Sequence, residues 1–259
     1  IEPGDGWRWS QRERRLLRQL EESARSLAEQ GWPPAFIFMY DAAWEVVDAL
    51  WEPLTRVLGA PGAELDPSVF CWVARVRENH ADATRAGTNF GVPHRDFNSK
   101  QSLLVSGEPA LISVWVPLSP VSATNGCMLV VPRSLDRHFS KRAAFSHMRP
   151  ALPPDVEGGP MEIRFNLDAA RPLAPLQPGS IVTWVGNLIH WGTACSPDAG
   201  PPRVSIGLNF LARGVRLQRS AKMLSRDDIR SRSLEQRLAM IAGSLLNYSP
   251  WYGLDDLIP

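Results

Sequence analysis

Arg203-Val204-Ser205-Ile206-Gly207-Leu208-Asn209-Phe210-Leu211 changes character at nearly every step. Successive side chains of an extended strand point to opposite faces. Val204, Ile206, Leu208 and Phe210 therefore make one apolar face, and Arg203, Ser205, Gly207, Asn209 and Leu211 a mostly polar one. Such a strand suits a sheet whose greasy face packs under helices while its polar face lines a cavity. An arginine buried on the cavity side needs an anionic partner.

Upstream of this strand, short β-rich runs at 70–77, 111–118, 126–131, 161–167 and 180–185 are separated by Pro, Gly, Asn and Asp. With 203–211 they make an all-β pattern. Helical grammar flanks it. Over 10–30, Ser10 can cap with Glu13 three residues later, and Leu16, Leu17, Leu20, Ala24 and Leu27 trace one stripe. Over 41–58, Asp41 is the expected cap, and Trp44, Val47, Leu50, Trp51, Leu54 and Leu58 form the apolar face. Gly59–Pro67 reads as a loop. A last helix is expected over 226–246, before an aromatic, acidic tail. With no repeat and no flexible linker, residues 1–259 read as one domain, with a β core at about 70–212 and helical flanks at about 10–58 and 226–246.

The balance of 44% hydrophobic and 21% charged residues is that of a folded protein. A net charge of +1 gives no electrostatic case for nucleic acid or a membrane surface, although arginine far outnumbers lysine. No run approaches the roughly 18 apolar residues of a membrane span, and the start of the chain does not read as a signal peptide. Three cysteines, Cys71, Cys127 and Cys195, are too few and too scattered for a disulfide framework or a thiolate metal site. They favour a reducing compartment, and the expected location is cytoplasmic.

His94-Arg95-Asp96 ends a glycine-containing loop, and on extended backbone the imidazole and the carboxylate aim the same way. His190 ends a second β segment that starts at Gly179. Two histidines and one carboxylate are the ligand set of non-haem Fe(II) oxygenases, which leaves coordination positions open. Thirteen residues later come Arg203 and Ser205, which share a strand face and can grip a carboxylate, the arginine through paired charge-assisted hydrogen bonds. His80, His138 and His147 fit no ligand pattern.

These pieces resemble the phytanoyl-CoA dioxygenase-like family of Fe(II)/2-oxoglutarate oxygenases. The resemblance runs from about Phe70 to Ala212 through Val92-Pro93-His94-Arg95-Asp96, Ile112–Leu118, Thr124–Ser134, Pro178–Thr193 and Pro202–Gly207. One turn departs from the family pattern, reading Pro132-Arg133-Ser134-Leu135 with Arg in place of Gly and Leu in place of His. The resemblance implies a mainly β fold, a double-stranded β-helix (a cupin-like jelly roll), with flanking helices. It implies Fe(II) held by His94, Asp96 and His190, and 2-oxoglutarate held through its distal carboxylate by Arg203 with help from Ser205. It also implies O₂ as co-substrate and a hydroxylated organic metabolite as product. Because family members that halogenate carry a small residue at the Asp96 position, hydroxylation is the expected outcome here.

Around this set, Trp115 could wall the keto-acid pocket beside Ser113. Asn89 could meet co-substrate or substrate, and Thr193 could touch the 2-oxoglutarate carboxylate or His190. Trp184 and Trp191 are candidate lining residues, and Asn98, Lys100 and Gln101 follow the H-x-D into a loop that could meet substrate. Arg75 and Arg77 share a strand face that could bind a carboxylate. The expected partner is a small-molecule substrate, with an anionic group as one option. Oligomeric state is left open. Two alternatives are a cupin-like metal enzyme that needs no keto acid and a non-enzymatic binding protein on the same fold. Arg203 with Ser205 argues against the first, and the complete ligand set against the second.

Overall fold

Ser10 opens the first helix as expected: its hydroxyl accepts from Glu13 N while the Glu13 carboxylate accepts from Ser10 N, satisfying two orphan amides at once. The computed structural model describes residues 7–74, 93–140, 151–152, 163–164, 167–193, 195–217, 222–252 and 254. Helix α1 spans Gln11–Glu29 and buries Leu17, Leu20 and Ala24. A 3-10 turn, Pro34–Met39, leads to α2, Asp41–Leu58. Asp41 is the first residue of α2, and the cap position falls to Tyr40, which makes no side-chain capping bond. Gly59, at φ 62°, closes α2 in the left-handed region that glycine enters without steric cost.

Ten strands follow among the described residues: β1 Ala63–Leu65, β2 Phe70–Val73, β3 Leu111–Pro117, β4 Met128–Val130, β5 Ala151–Leu152, β6 Ile163–Arg164, β7 Arg171–Pro172, β8 Val182–Val185, β9 His190–Gly192 and β10 Val204–Ala212. β10 is the axis of the larger sheet. It pairs along its length with β3 on one side and with β2 and β1 on the other, and β8 extends the sheet beyond β3. A second antiparallel sheet has the order β7-β4-β9. β5 and β6 form a separate parallel pair.

The alternation in β10 does what its sequence predicts. Val204, Ile206, Leu208 and Phe210 join Ile112, Val114 and Val116 of β3 and Cys71 of β2 in one core with α1, the 3-10 turn and α2. Trp51 of α2 meets Phe210 edge-on, ring centroids 5.1 Å apart. Burial of each such side chain contributes roughly 1.5–3 kcal/mol.

The architecture is mainly β with flanking helices and two antiparallel sheets, and among the described residues neither sheet closes into a barrel. Two further local expectations change, and one is seen only in part. The Gly59–Pro67 loop contains β1. The strand expected at 70–77 is seen as β2, with 75–77 outside the described residues. The helix expected over 226–246 is two: Arg226–Arg230, and α3, Leu234–Asn247. Ser233 restarts the chain as a helix through its own capping box with Gln236. A short helix, Ser249–Tyr252, follows α3.

Candidate metal and co-substrate site

The two histidine segments are joined by backbone. His94 N donates to His190 O, and His190 N donates to His94 O, each at 3.0 Å. This reciprocal pair sets two imidazoles 96 residues apart in sequence side by side, with ring centroids 4.5 Å apart. β9 pairs with β4, so His190 sits opposite Val130 and is held from that side too. Parity along β9 sends His190 and Trp191 to opposite faces. Trp191 accordingly packs with Val131, Ala169 and Ile189, away from the cavity.

Asp96 completes the cluster. Its Oδ1 lies 3.5 Å from His94 Nε2 and 3.6 Å from His190 Nε2, and the candidate ligand atoms of the three residues all fall within 4.8 Å of one another. Its Oδ2 accepts from Ser113 Oγ at 2.7 Å. One carboxylate oxygen is thus fixed by β3, while the other faces both imidazoles. His190 Nδ1 lies 3.0 Å from Leu188 O. That carbonyl accepts only if Nδ1 carries the proton, which leaves Nε2 with a free lone pair. Burial pushes the His190 pKa down to about 4, against the upward pull of Asp96, so the ring is neutral near pH 7. For Asp96, burial favours the protonated acid, but the histidines and the Ser113 hydroxyl outweigh it and keep the group ionised. Two imidazole nitrogens and one carboxylate oxygen on one side of a cavity fit a divalent iron site.

Arg95, between the two ligands in sequence, turns the other way, into the protein. It is 2% exposed. It donates to Asp136 Oδ2 at 2.6 Å and to the carbonyl of Asn187, three residues before His190. Asn187 in turn donates to Phe139 O. One buried guanidinium therefore ties the H-x-D segment, the approach to His190 and the 133–139 segment together. Nothing in the spacing of Arg95 and Asp136, 41 residues apart, signals this.

Arg203 is 4% exposed and lines the same cavity as the three ligand residues. Its Nε donates to Gly126 O and one terminal nitrogen to Ser205 Oγ, while its guanidinium carbon lies 5.2 Å from the ring centroid of Trp115. Burial pushes its pKa down to about 10, which still leaves it charged at neutral pH. Gly126 has φ 93°, and a Cβ there would come within 2.9 Å of Ala74 Cβ, so only glycine brings this carbonyl to the arginine.

The other candidates separate by position. Trp115, Ser113 and Trp184 line the cavity. Thr193 extends β9, and its hydroxyl donates to Cys127 O at 3.1 Å. Asn98 caps the short helix Ser99–Ser102 in a capping box with Gln101. Lys100 is exposed. Asn89, Arg75, Arg77, His80 and His147 lie outside the described residues. Reading the sequence alone missed a further wall, made by Phe70 and Trp72 of β2 and Tyr248 at the end of α3. Tyr248 meets Phe70 edge-on at 4.8 Å, and Tyr252 stacks on Trp72 at 4.2 Å. The aromatic tail was the available signal for it.

A profile described as Phytanoyl-CoA dioxygenase (PhyH) matches residues 55–199, more than half of the chain, and includes all three candidate ligands. Among solved structures, the non-heme monooxygenase ThoJ in its apo form superposes with a TM-score of 0.55 at 15% identity, covering 91% of each chain. A ThoJ–Ni complex gives 0.54 at 14% identity, covering 93% of this chain and 90% of that one. A search of curated proteins finds no match.

Proposed function

Since the chain belongs to the phytanoyl-CoA dioxygenase family and is an Fe(II)/2-oxoglutarate-dependent oxygenase, we propose that it hydroxylates a C–H bond of a small or medium organic metabolite. The observation that carries this reading is the opening of the three candidate ligands and a buried, charged Arg203 onto one cavity.

In this reading His94, Asp96 and His190 hold Fe(II). When bound, iron with 2-oxoglutarate and O₂ supplies an oxidant strong enough for an unactivated C–H bond, and the keto acid leaves as succinate and CO₂. The protein's own part is binding, orientation and exclusion of water. Arg203 presents a planar fork to the distal carboxylate, held in place by Trp115, Gly126 O and Ser205. Ser113 holds Asp96 in its coordinating orientation. Thr193 and Asn89 remain assigned to the co-substrate's surroundings. The two sheets are read as the halves of a double-stranded β-helix, and residues 1–259 as one catalytic domain. The three unpaired thiols suit the cytoplasm. No helix among the described residues is long and apolar enough to cross a membrane.

The test is an anaerobic titration of 2-oxoglutarate into Mn(II)-loaded wild type and Arg203→Ala, paired with aerobic succinate release from the Fe(II) enzyme. Loss of the guanidinium should weaken 2-oxoglutarate on the order of 100-fold, the cost of stripping a buried charged partner. Equal affinities would move the protein to the keto-acid-independent class. Products formed in chloride buffer should be hydroxylated, and a chlorinated main product would overturn the role given to Asp96.

A further inference from the structure

Three cavity-facing residues stand in one register row across the larger sheet. Asn209 of β10 is opposite Ser113 of β3, and Ser113 is opposite Trp184 of β8. The middle residue is committed, since its hydroxyl bonds Asp96. The outer two are not. Trp184 Nε1 is buried without a hydrogen-bond partner, and its ring lies 4.9 Å from that of His190. Asn209 is 7% exposed and lines the cavity, and its amide bonds no group among the described residues. A buried polar group without a partner costs stability, so Trp184 Nε1, flanking the metal-binding carboxylate, calls for a ligand, and the Asn209 amide, open to the cavity, can share it.

One row along lies Gly207, between Phe70 of β2 and Trp115 of β3. It contributes no side chain, and so leaves space over the sheet beside an apolar wall of Phe70, with the edge of Tyr248 against it. Apart from the three ligand residues and Arg203, the described lining of this cavity is uncharged.

We propose that Trp184 and Asn209 form the polar anchor of the substrate subsite, and that the substrate is an uncharged, largely apolar molecule carrying a carbonyl or comparable hydrogen-bond acceptor. Its oxygen takes the indole N–H of Trp184 and the amide of Asn209, and its apolar body lies over Gly207 against Phe70 and Tyr248. The carbon next to that oxygen then sits nearest Asp96 and the two histidines. This inference rests on the hydroxylase reading, because it assigns Arg203 to the co-substrate and leaves the substrate no cation among the described residues.

The test uses 1-tetralone, the same skeleton without the oxygen (tetralin), and the anion 1-naphthoate. Each is titrated anaerobically into the Mn(II)- and 2-oxoglutarate-loaded protein and followed by NMR. Tetralone should bind about tenfold more tightly than tetralin, the worth of the anchoring hydrogen bonds, and naphthoate should bind worst. Mn(II) should relax the tetralone protons next to the carbonyl more than those of the distant ring. Trp184→Phe keeps the ring and removes the N–H, and Asn209→Leu keeps the bulk and removes the amide. Each should cut the tetralone advantage severalfold while leaving 2-oxoglutarate affinity unchanged and without lowering Tm. Equal binding of tetralone and tetralin, an advantage that survives both substitutions, or preference for naphthoate would overturn the anchor and leave the hydroxylase reading standing. Failure of 2-oxoglutarate itself to bind would overturn that reading and the anchor with it.

Discussion

The two faces of β10 and β3 share one backbone and follow opposite rules. On the helix side, Val204, Ile206, Phe210, Ile112 and Val116 are all nearly inaccessible and packed against α1 and α2. On the cavity side, Arg203, Asn209 and Ser113 are also buried but polar, and they line a space, with Ser205 behind them against Arg203. The first face contributes stability by removing apolar area from water. The second gives some of it up, because a charged guanidinium is buried and an amide is left open to the cavity, where a ligand can use them. Substitutions on the two faces should therefore separate folding from activity.

The sharpest separation is His190→Ala. Its structural hydrogen bonds to His94 are made by backbone, so the strand pair should persist and Tm should barely move, while succinate release falls to background. A protein that unfolds on this change would erase the distinction between the faces. Across the sheet, Phe210→Ala should do the reverse. Removing a ring packed edge-on against Trp51 should cost about 3–5 kcal/mol in denaturant unfolding, with turnover per folded molecule unchanged. Ser113→Ala sharpens the comparison within the cavity face: freeing Asp96 Oδ2 should weaken metal binding about 10–100-fold at unchanged Tm, read by competition with a chelating dye.

The smallest effect lies outside both faces. Asp48 of α2 takes hydrogen bonds from Arg226 and Arg230. Burial alone would raise its pKa, but the two guanidinium groups outweigh burial and hold it below the ordinary 3.8. A depressed folded-state pKa stabilises the protein above the unfolded value, and the benefit disappears as pH falls through the folded one. Asp48→Asn should lower Tm by no more than about 2–4 °C at pH 7, and the two melting curves should converge in acid. A gap that widens in acid would refute this sign.

What could be read in advance follows from sequence distance. The period of β10, the capping box at Ser10 and the H-x-D spacing are local, and each carries its physics within a few residues. His190 and Arg203 were legible because they fell in order on β segments and matched a family. Ser113 on Asp96, Arg95 on Asp136 and the row Asn209–Ser113–Trp184 depend on register between strands, and no single segment encodes that. The break between Arg226–Arg230 and α3 is a different case. Ser233 and Gln236 spell a new start there, the same local signal that Ser10 and Glu13 carry at α1.

The reciprocal bond pair between His94 and His190 also has a consequence in time. Their amide protons reach solvent only when this backbone bridge parts, and the same opening takes the two imidazoles out of register. Where that opening is the slow step of metal release, the lifetime of a bound metal becomes a backbone quantity. Hydrogen exchange at these two amides and metal release should slow or quicken together.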